Sequence, residues 1–473
     1  MDSRTPFKSL PFALVSFAAA ALLIAGCGSG SVVSGTIGTG TQTTETGPAF
    51  VVGTDAPLAS VVSFSVPVQS IDAITSTGTS VPLLSGTPTV DFARFNGLQT
   101  LLDMNDVPVN TYNSISITLG TPTIGYLNVP ASGAPTIETQ TGTYPAGTST
   151  YTYTVQLASP LVVTQAGTPV GLRVDLDLRK SIDVDSSGNF TGVVSPTFDV
   201  KAVGTGDAGG HIDTFDAAVV SVGTQSFVVQ GPHGENFTID VSGSTEWENG
   251  ESLSSLTASS IVEVSGTLDK ADSTLDADDV AILTQSGFYA AGQITYVQPS
   301  SGPAKSFDLY VRGLLPTTTG ITLGQIAQVN LTGNEKFFIY WWHNPLTEFL
   351  FNSSQLLPGQ HVSVGGPATG AANAQDVTVN RVVLRHWGFN GTVVAKSVNT
   401  ANGTFQMQIT GFAGLLVPQT VTVYTASPTE FRGGLTGLGS LTNGEDVRVV
   451  GLLLKDPTSG DTVLLAHYVD ELN

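Results

Sequence analysis

Residues 171–178 read Gly171-Leu172-Arg173-Val174-Asp175-Leu176-Asp177-Leu178. Successive side chains of a strand point to opposite faces. The apolar set Leu172, Val174, Leu176 and Leu178 therefore shares one face, and Arg173, Asp175, Asp177 and Arg179 share the other. A segment of this kind is a half-buried antiparallel strand, and sliding its register by one residue would turn the whole apolar set to solvent. Working outward, β-forming runs bounded by turn residues cover Val61 to Val68, Thr89 to Phe95, Tyr112 to Leu119, Ser149 to Leu157 and Phe198 to Val203. Their number and spacing predict a two-sheet β-sandwich over residues 49–205.

The composition agrees. The 53 Gly and 25 Pro, with abundant Thr and Val, favour many short strands joined by turns over long helices. A chain of 473 residues has room for several domains of ordinary size and needs no covalent staple, and its single cysteine supplies none. Charged residues are only 12% against 41% hydrophobic, which excludes a disordered polyelectrolyte. With 17 Lys and Arg against 38 Asp and Glu, the formal charge of -21 repels phosphate backbones, so nucleic acid is not an expected partner.

The N-terminus carries an address. Arg4 and Lys8 precede an apolar run from Leu10 to Ile24, too short for a comfortable membrane span, and residues 1–27 read as a signal peptide. Its end, Ile24-Ala25-Gly26-Cys27, resembles a bacterial lipoprotein box, which implies acylation of Cys27. One acyl chain, at about 0.8 kcal/mol per buried methylene, holds only marginally; the two or three on a lipoprotein cysteine anchor stably. By the same resemblance, Gly28 in place of Asp implies the outer membrane, facing periplasm or cell surface. Residues 28–48 then read as a flexible Gly/Ser/Thr tether reaching about 25 Å.

Within residues 49–205, Thr54-Asp55-Ala56-Pro57, the run from Val66 to Ile74, Val90-Asp91-Phe92 and Val107-Pro108-Val109-Asn110-Thr111-Tyr112 resemble the bacterial domain of unknown function 4382. The resemblance implies a β-sandwich lipoprotein domain with no established activity. Asn110 stands where that family usually has glycine, and Asn tolerates the left-handed conformation such a turn asks for.

Beyond residue 210 the chain repeats a frame. A first strand is marked by Ala217 to Val220, Ala291 to Ile294 and Asn390 to Val394. An acidic-aromatic segment follows: Thr245-Glu246-Trp247, Asn334-Glu335-Lys336-Phe337 and Thr429-Glu430-Phe431. Then come Leu-rich turns and an alternating strand ending in glycine, at Gly266, Gly366 and Gly451, before a last strand. This order predicts three small OB-like β-barrel repeats, at 210–285, 286–386 and 387–473. It resembles domain of unknown function 5666. The expected fold class is all-β, an N-terminal sandwich followed by three small barrels.

Sites are less legible. Asp183, Asp185, Ser187 and Asn189 alternate oxygen ligands around a glycine turn, either a weak calcium loop or a polar hairpin; Val194 stands where an EF-hand would need glutamate. Asp269, Asp272, Asp276, Asp278 and Asp279 read as a solvated loop, with weak calcium binding as the alternative. Six histidines, His211, His233, His343, His361, His386 and His467, are scattered, without a zinc spacing. Neither a nucleophile elbow nor a Walker loop is present, so no enzyme and no cofactor are expected. On a strand, Phe337 to His343 would place Phe338, Tyr340 and Trp342 on one side and Phe337, Ile339, Trp341 and His343 on the other. One side fills a barrel; the other packs on a neighbouring domain or offers Tyr340, Trp342 and His343 to a sugar or peptide.

These readings converge on a lipid-anchored envelope protein with a non-catalytic structural, adhesive or ligand-binding role. The alternative is a polysaccharide-binding accessory module or a glycan-active enzyme. Its partners are the membrane, through Cys27, and an envelope glycan or protein. Replacing Cys27 by Ser is expected to move the protein from the membrane pellet to the soluble fraction and to abolish the acyl mass on its N-terminal peptide.

Overall fold

The strand predicted over residues 171–178 runs from Val170 to Asp177, with Leu172, Val174 and Leu176 at most 1% exposed, and Leu178 instead opens the single helical turn Leu178–Ser181. In the computed structural model it lies parallel to Thr46–Ala56 and antiparallel to Phe198–Gly204, and Thr100–Pro108 completes a four-stranded sheet. The structure describes residues 45–56, 61–95, 100–128, 133–165, 170–184, 190–204, 211–230, 236–268, 274–285, 287–315, 320–340, 349–367, 376–411, 419–426 and 429–472.

A second sheet is built around the 15-residue strand Val61–Thr75, flanked by Thr123–Asn128 and Asn110–Leu119, with Thr136–Thr141 and Tyr151–Val163 outside them. The two sheets share one core in which Phe64, Ile117 and Tyr112 meet Val51, Leu172 and Val174. The fold is an all-β sandwich, as the alternation requires.

Local departures have physical reasons. The strand Thr46–Ala56 begins inside the stretch read as tether, because pairing with Thr100–Pro108 satisfies its backbone back to Thr46. Gly47 belongs there for close packing: a Cβ at that position would collide with the carbonyl oxygen of Thr164. The run from Thr89 to Phe95 is a strand only over Thr89–Asp91 and then a 3-10 turn, Phe92–Arg94. Asn110 does not take the left-handed conformation; it opens the strand Asn110–Leu119, and its side chain accepts from the Thr111 amide at 2.8 Å. The phenol of Tyr112 holds the preceding turn by donating to Pro108 O at 2.7 Å.

Three further sheets share one order of pairing. In the first, His211–Val222 pairs with both Ser226–Gln230 and Ile261–Leu268, and Leu275–Thr284 pairs with Ile261–Leu268. A parallel contact between Asn236–Asp240 and Leu275–Thr284 closes a five-stranded barrel. The last sheet, from Trp387–Val393 to Thr462–Glu471, repeats these pairings with Thr420–Tyr424 against Thr462–Glu471. In the middle sheet the final strand is interrupted, and its halves, Asp376–Thr378 and Arg381–Arg385, pair with different neighbours. Each acidic-aromatic segment supplies a short strand, Glu246–Trp247, Lys336–Ile339 or Glu430–Arg432, parallel to the final strand.

Of the three glycines expected to end the alternating strands, Gly366 does so, whereas Gly266 and Gly451 lie inside strands that run on to Leu268 and Lys455; all three are glycine for a common cause. A Cβ on Gly366 would lie 2.6 Å from Thr378 O, and on Gly266 or Gly451 it would press still closer on Asp276 O or Leu465 O. At these points the two long strands cross too tightly for any side chain.

The bodies pack on one another through alternating faces. From one strand, Ala49 and Val51 enter the sandwich core while Phe50 and Val52 enter the core of the first barrel beside Ile212 and Val264. Leu452, Leu454 and Leu465 of the last sheet join the core of the middle one. Gln360, fully buried there, accepts from Leu357 N at 3.0 Å and donates to Gln355 O at 3.1 Å and Leu453 O at 2.9 Å.

Gly451→Ala is expected to destabilise the protein by about 1–3 kcal/mol through overpacking, read as a lower denaturation midpoint. Gly86→Ala, where a Cβ meets nothing within 4 Å, is expected to change it by less than about 0.5 kcal/mol.

Candidate functional site

Three strands bury a charge directly after an apolar pair: Glu263 after Ile261-Val262, Arg312 after Tyr310-Val311, and Arg385 after Val383-Leu384. They are 3%, 4% and 5% exposed. A buried charge is costly unless it is paired and hydrogen-bonded. All three line a cavity of about 480 Å³ at the junction of the sandwich with the three later sheets.

Arg385 organises the wall between the first and middle sheets. Its guanidinium donates to both oxygens of Asp216, at 3.0 and 3.2 Å, to Thr214 Oγ1 at 3.1 Å and to the Tyr289 hydroxyl, and it pairs with Glu263. Tyr289 donates to Asp216 Oδ2 at 2.6 Å, and Thr214 donates to Glu263 Oε1 at 2.8 Å. Burial alone would raise the pKa of Asp216, but Arg385 more than offsets it and holds the carboxyl below its ordinary value. Glu263 must share the same cation with Asp216, so burial prevails and its pKa is raised.

The acidic side of the cavity continues along the first barrel. Asp279 is buried, accepts from Ser265 Oγ at 2.8 Å, and is pushed up to about 7 by burial, with Asp278 adding to the rise. Glu248, just outside the lining, is pushed up to about 8 by burial and by the nearby Glu263 and Asp279.

The opposite side is basic and aromatic. Arg312 donates to Ala93 O at 2.7 Å and Gln293 Oε1 at 3.1 Å, and its guanidinium lies 4.9 Å from the Trp387 ring. The His361 ring packs 4.3 Å from Trp387, and His386 stacks on His467 at 4.7 Å with 13° between planes. Burial lowers the pKa of all three histidines, with Arg385 adding to the effect at His361 and His467 at His386, so these rings are neutral at pH 7. Arg432 donates to Glu430 Oε2 at 3.0 and 2.7 Å and lies 3.8 Å from the Tyr468 ring centre. Among the described residues no group of three or more His, Cys, Asp or Glu is arranged to hold a metal ion.

Of the residues predicted from sequence, Tyr340 lines the cavity, 3% exposed, with its ring edge-on to His386 at 5.9 Å. The aromatic strand divides as its alternation requires. Phe337 and Ile339 pack on the core of the middle sheet, and Phe338 and Tyr340 cluster with Ile261, Ala281 and Leu283 of the first barrel. Trp341, Trp342 and His343 lie outside the described residues, as do Cys27, Asp185, Ser187 and Asn189. Asp183 sits on Ile182–Val184, which forms a hairpin with Phe190–Val194.

The acidic run read as a solvated loop is corrected in part. Asp276, Asp278 and Asp279 lie on the strand Leu275–Thr284, whose ladder with Ile261–Leu268 sets Asp279 opposite Ser265 and buries it. Asp269 and Asp272 lie outside the described residues. Sequence reading also left His211, His361, His386 and His467 scattered; the fold brings all four to one cavity. A signal that could have found the site is a charge set directly after an apolar pair on a strand, as at Glu263, Arg312 and Arg385.

Residues 49–191 match the family model "Domain of unknown function (DUF4382)", and residues 217–281 match "Domain of unknown function (DUF5666)". The first match falls on the sandwich and the second within the closed barrel, in the order the sequence resemblance implied. No curated protein matches the chain.

Arg385→Met leaves Asp216 and Glu263 buried without their cation, and a loss of about 3–5 kcal/mol in stability is expected, measured by denaturant unfolding at pH 7. For Glu248 the folded pKa lies above its ordinary 4.5. The unfolded chain therefore ionises first, and stability falls as pH rises from about 4.5 to about 8. Glu248→Gln removes this contribution, so the variant should gain more thermal stability over wild type at pH 8 than at pH 5.

Proposed function

We propose that the protein is a non-catalytic, lipid-anchored component of the bacterial cell envelope that binds a small polar ligand in the junction cavity. The observation that carries this reading is the cavity itself. Its volume of about 480 Å³ falls within the range of small-molecule sites, roughly 300–1,000 Å³. Its charged side chains come from four separately built bodies, including Arg94 of the sandwich, Glu263, Arg385 and Arg432. A ligand held by all four would tie them together, and the binding free energy would add to the stability of the assembly.

In this reading acylated Cys27 sets the address at the outer membrane, the Gly/Ser/Thr segment lifts the folded body from the lipid, and the three later sheets are copies of one module. The glycan alternative has less to rest on, because Tyr340, one of the three residues it relies on, packs against the first barrel.

The test is native mass spectrometry of protein taken from its own membranes in mild detergent. A small molecule released on unfolding is expected, and Arg312→Leu, which removes a cavity wall, should lose it. Material that releases nothing, and whose melting temperature is unmoved by a library of small polar metabolites, would overturn the reading.

A further inference from the structure

We infer that the cavity takes a small organic cation bearing primary ammonium groups, held against the wall contributed by the first barrel. This deepens the ligand-binding reading above and rests on it.

The charge balance of the lining comes first. Among the described lining residues there are seven carboxyl groups and four guanidinium groups. The guanidiniums of Arg385, Arg432 and Arg312 are engaged by Asp216 and Glu263, by Glu430, and by Ala93 O with Gln293, the fourth, Arg94, lies 3.9 Å from Asp216, and the His211 ring lies 3.7 Å from Asp278. The excess of negative charge is concentrated on one body. Glu246 and Asp279 are neighbours across paired strands, Asp278 precedes Asp279, and Glu263 lies on the adjoining strand.

The second observation is an acceptor left over. The Glu263 side chain is 4% exposed and lines the cavity, yet its Oε2 accepts no hydrogen bond among the described residues. A buried carboxylate oxygen without a donor is costly. A carboxylate only accepts, whereas an ammonium group offers three donors and a positive charge. An anionic ligand would meet repulsion from this wall, and a metal ion would find no set of three ligands among the described residues. The Tyr340 ring, also in the lining, suits an organic cation.

Ionisation then gives a signature. With no cation bound, the wall keeps a proton, because burial pushes the Asp279 carboxyl up to about 7. An entering ammonium group favours the ionised carboxylate and expels that proton. A carboxyl group with a pKa near 7 goes from roughly one-tenth to nine-tenths ionised between pH 6 and pH 8, while an alkylammonium stays protonated throughout. Affinity should therefore rise about tenfold across that interval.

Isothermal titration of the detergent-solubilised full chain with 1,4-diaminobutane, spermidine, 1,4-butanediol, butanedioate and calcium chloride tests this. The expected result is that at least one of the two amines binds, about tenfold tighter at pH 8 than at pH 6, and that the diol, the dianion and calcium do not compete with it. Asp279→Asn should weaken amine binding at least tenfold and flatten its pH dependence, in a variant that still shows a cooperative thermal transition. Should that variant fail to fold, the exposed Glu246→Gln should weaken binding in the same direction. Tighter binding of the diol, of butanedioate or of calcium, amine binding that is flat with pH, or binding of neither amine overturns the cationic assignment. If the native material nonetheless releases a small molecule, the ligand-binding reading survives that failure; if it releases none and no compound binds, both fall.

Discussion

The ion pair between Arg385 and Asp216 is the constraint on which the arrangement of bodies depends. Both groups are out of water, on different sheets, with Tyr289 and Thr214 filling the remaining hydrogen-bond positions. Apolar contacts alone would let one sheet slide over another at little cost, because dispersion and burial have no direction. A guanidinium facing a carboxylate has a fixed geometry, and a displacement of an ångström or two would strand two charges in a medium that solvates them poorly. The pair thus specifies how the first and middle sheets meet, whatever its net contribution to stability.

Glu263 shows what that specification costs. One cation cannot satisfy two carboxylates equally, and the arrangement that favours Asp216 leaves Glu263 with an unmet oxygen at the cavity wall. Asp279 and Glu248 extend the same imbalance along the barrel. Local polar groups that are poorly satisfied in the unliganded fold are a common mark of a binding site, because the missing partner can be supplied from outside.

The fold was legible where a single local rule governed the residues. Leu172, Val174 and Leu176 declare a sheet face by period alone, and the acidic-aromatic segments recur at one place in the pairing order. It was less legible where a second chain segment decided the outcome. The recurrence of Gly266, Gly366 and Gly451 could be seen, but not that Gly266 and Gly451 sit inside longer strands, and the reason for all three lies in the carbonyl of a strand crossing them. Gly47 reads as linker because the backbone that crowds it comes from Thr164. The site was the least legible part. Asp279 looks like one more aspartate in an acidic run, and nothing local says that Ser265 will face it. His361, His386 and His467 meet through three-dimensional packing, which spacing along the chain does not encode; a charge directly after an apolar pair, at Glu263, Arg312 and Arg385, was the visible departure from a local rule.

The strands Arg381–Arg385 and Trp387–Val393 belong to different sheets, yet His386 alone separates them. A connection one residue long has no slack. Where a flexible linker would let two beads on a string tumble separately, this one makes the middle and last sheets a single torsional unit, so that a twist imposed on either is transmitted whole to the other.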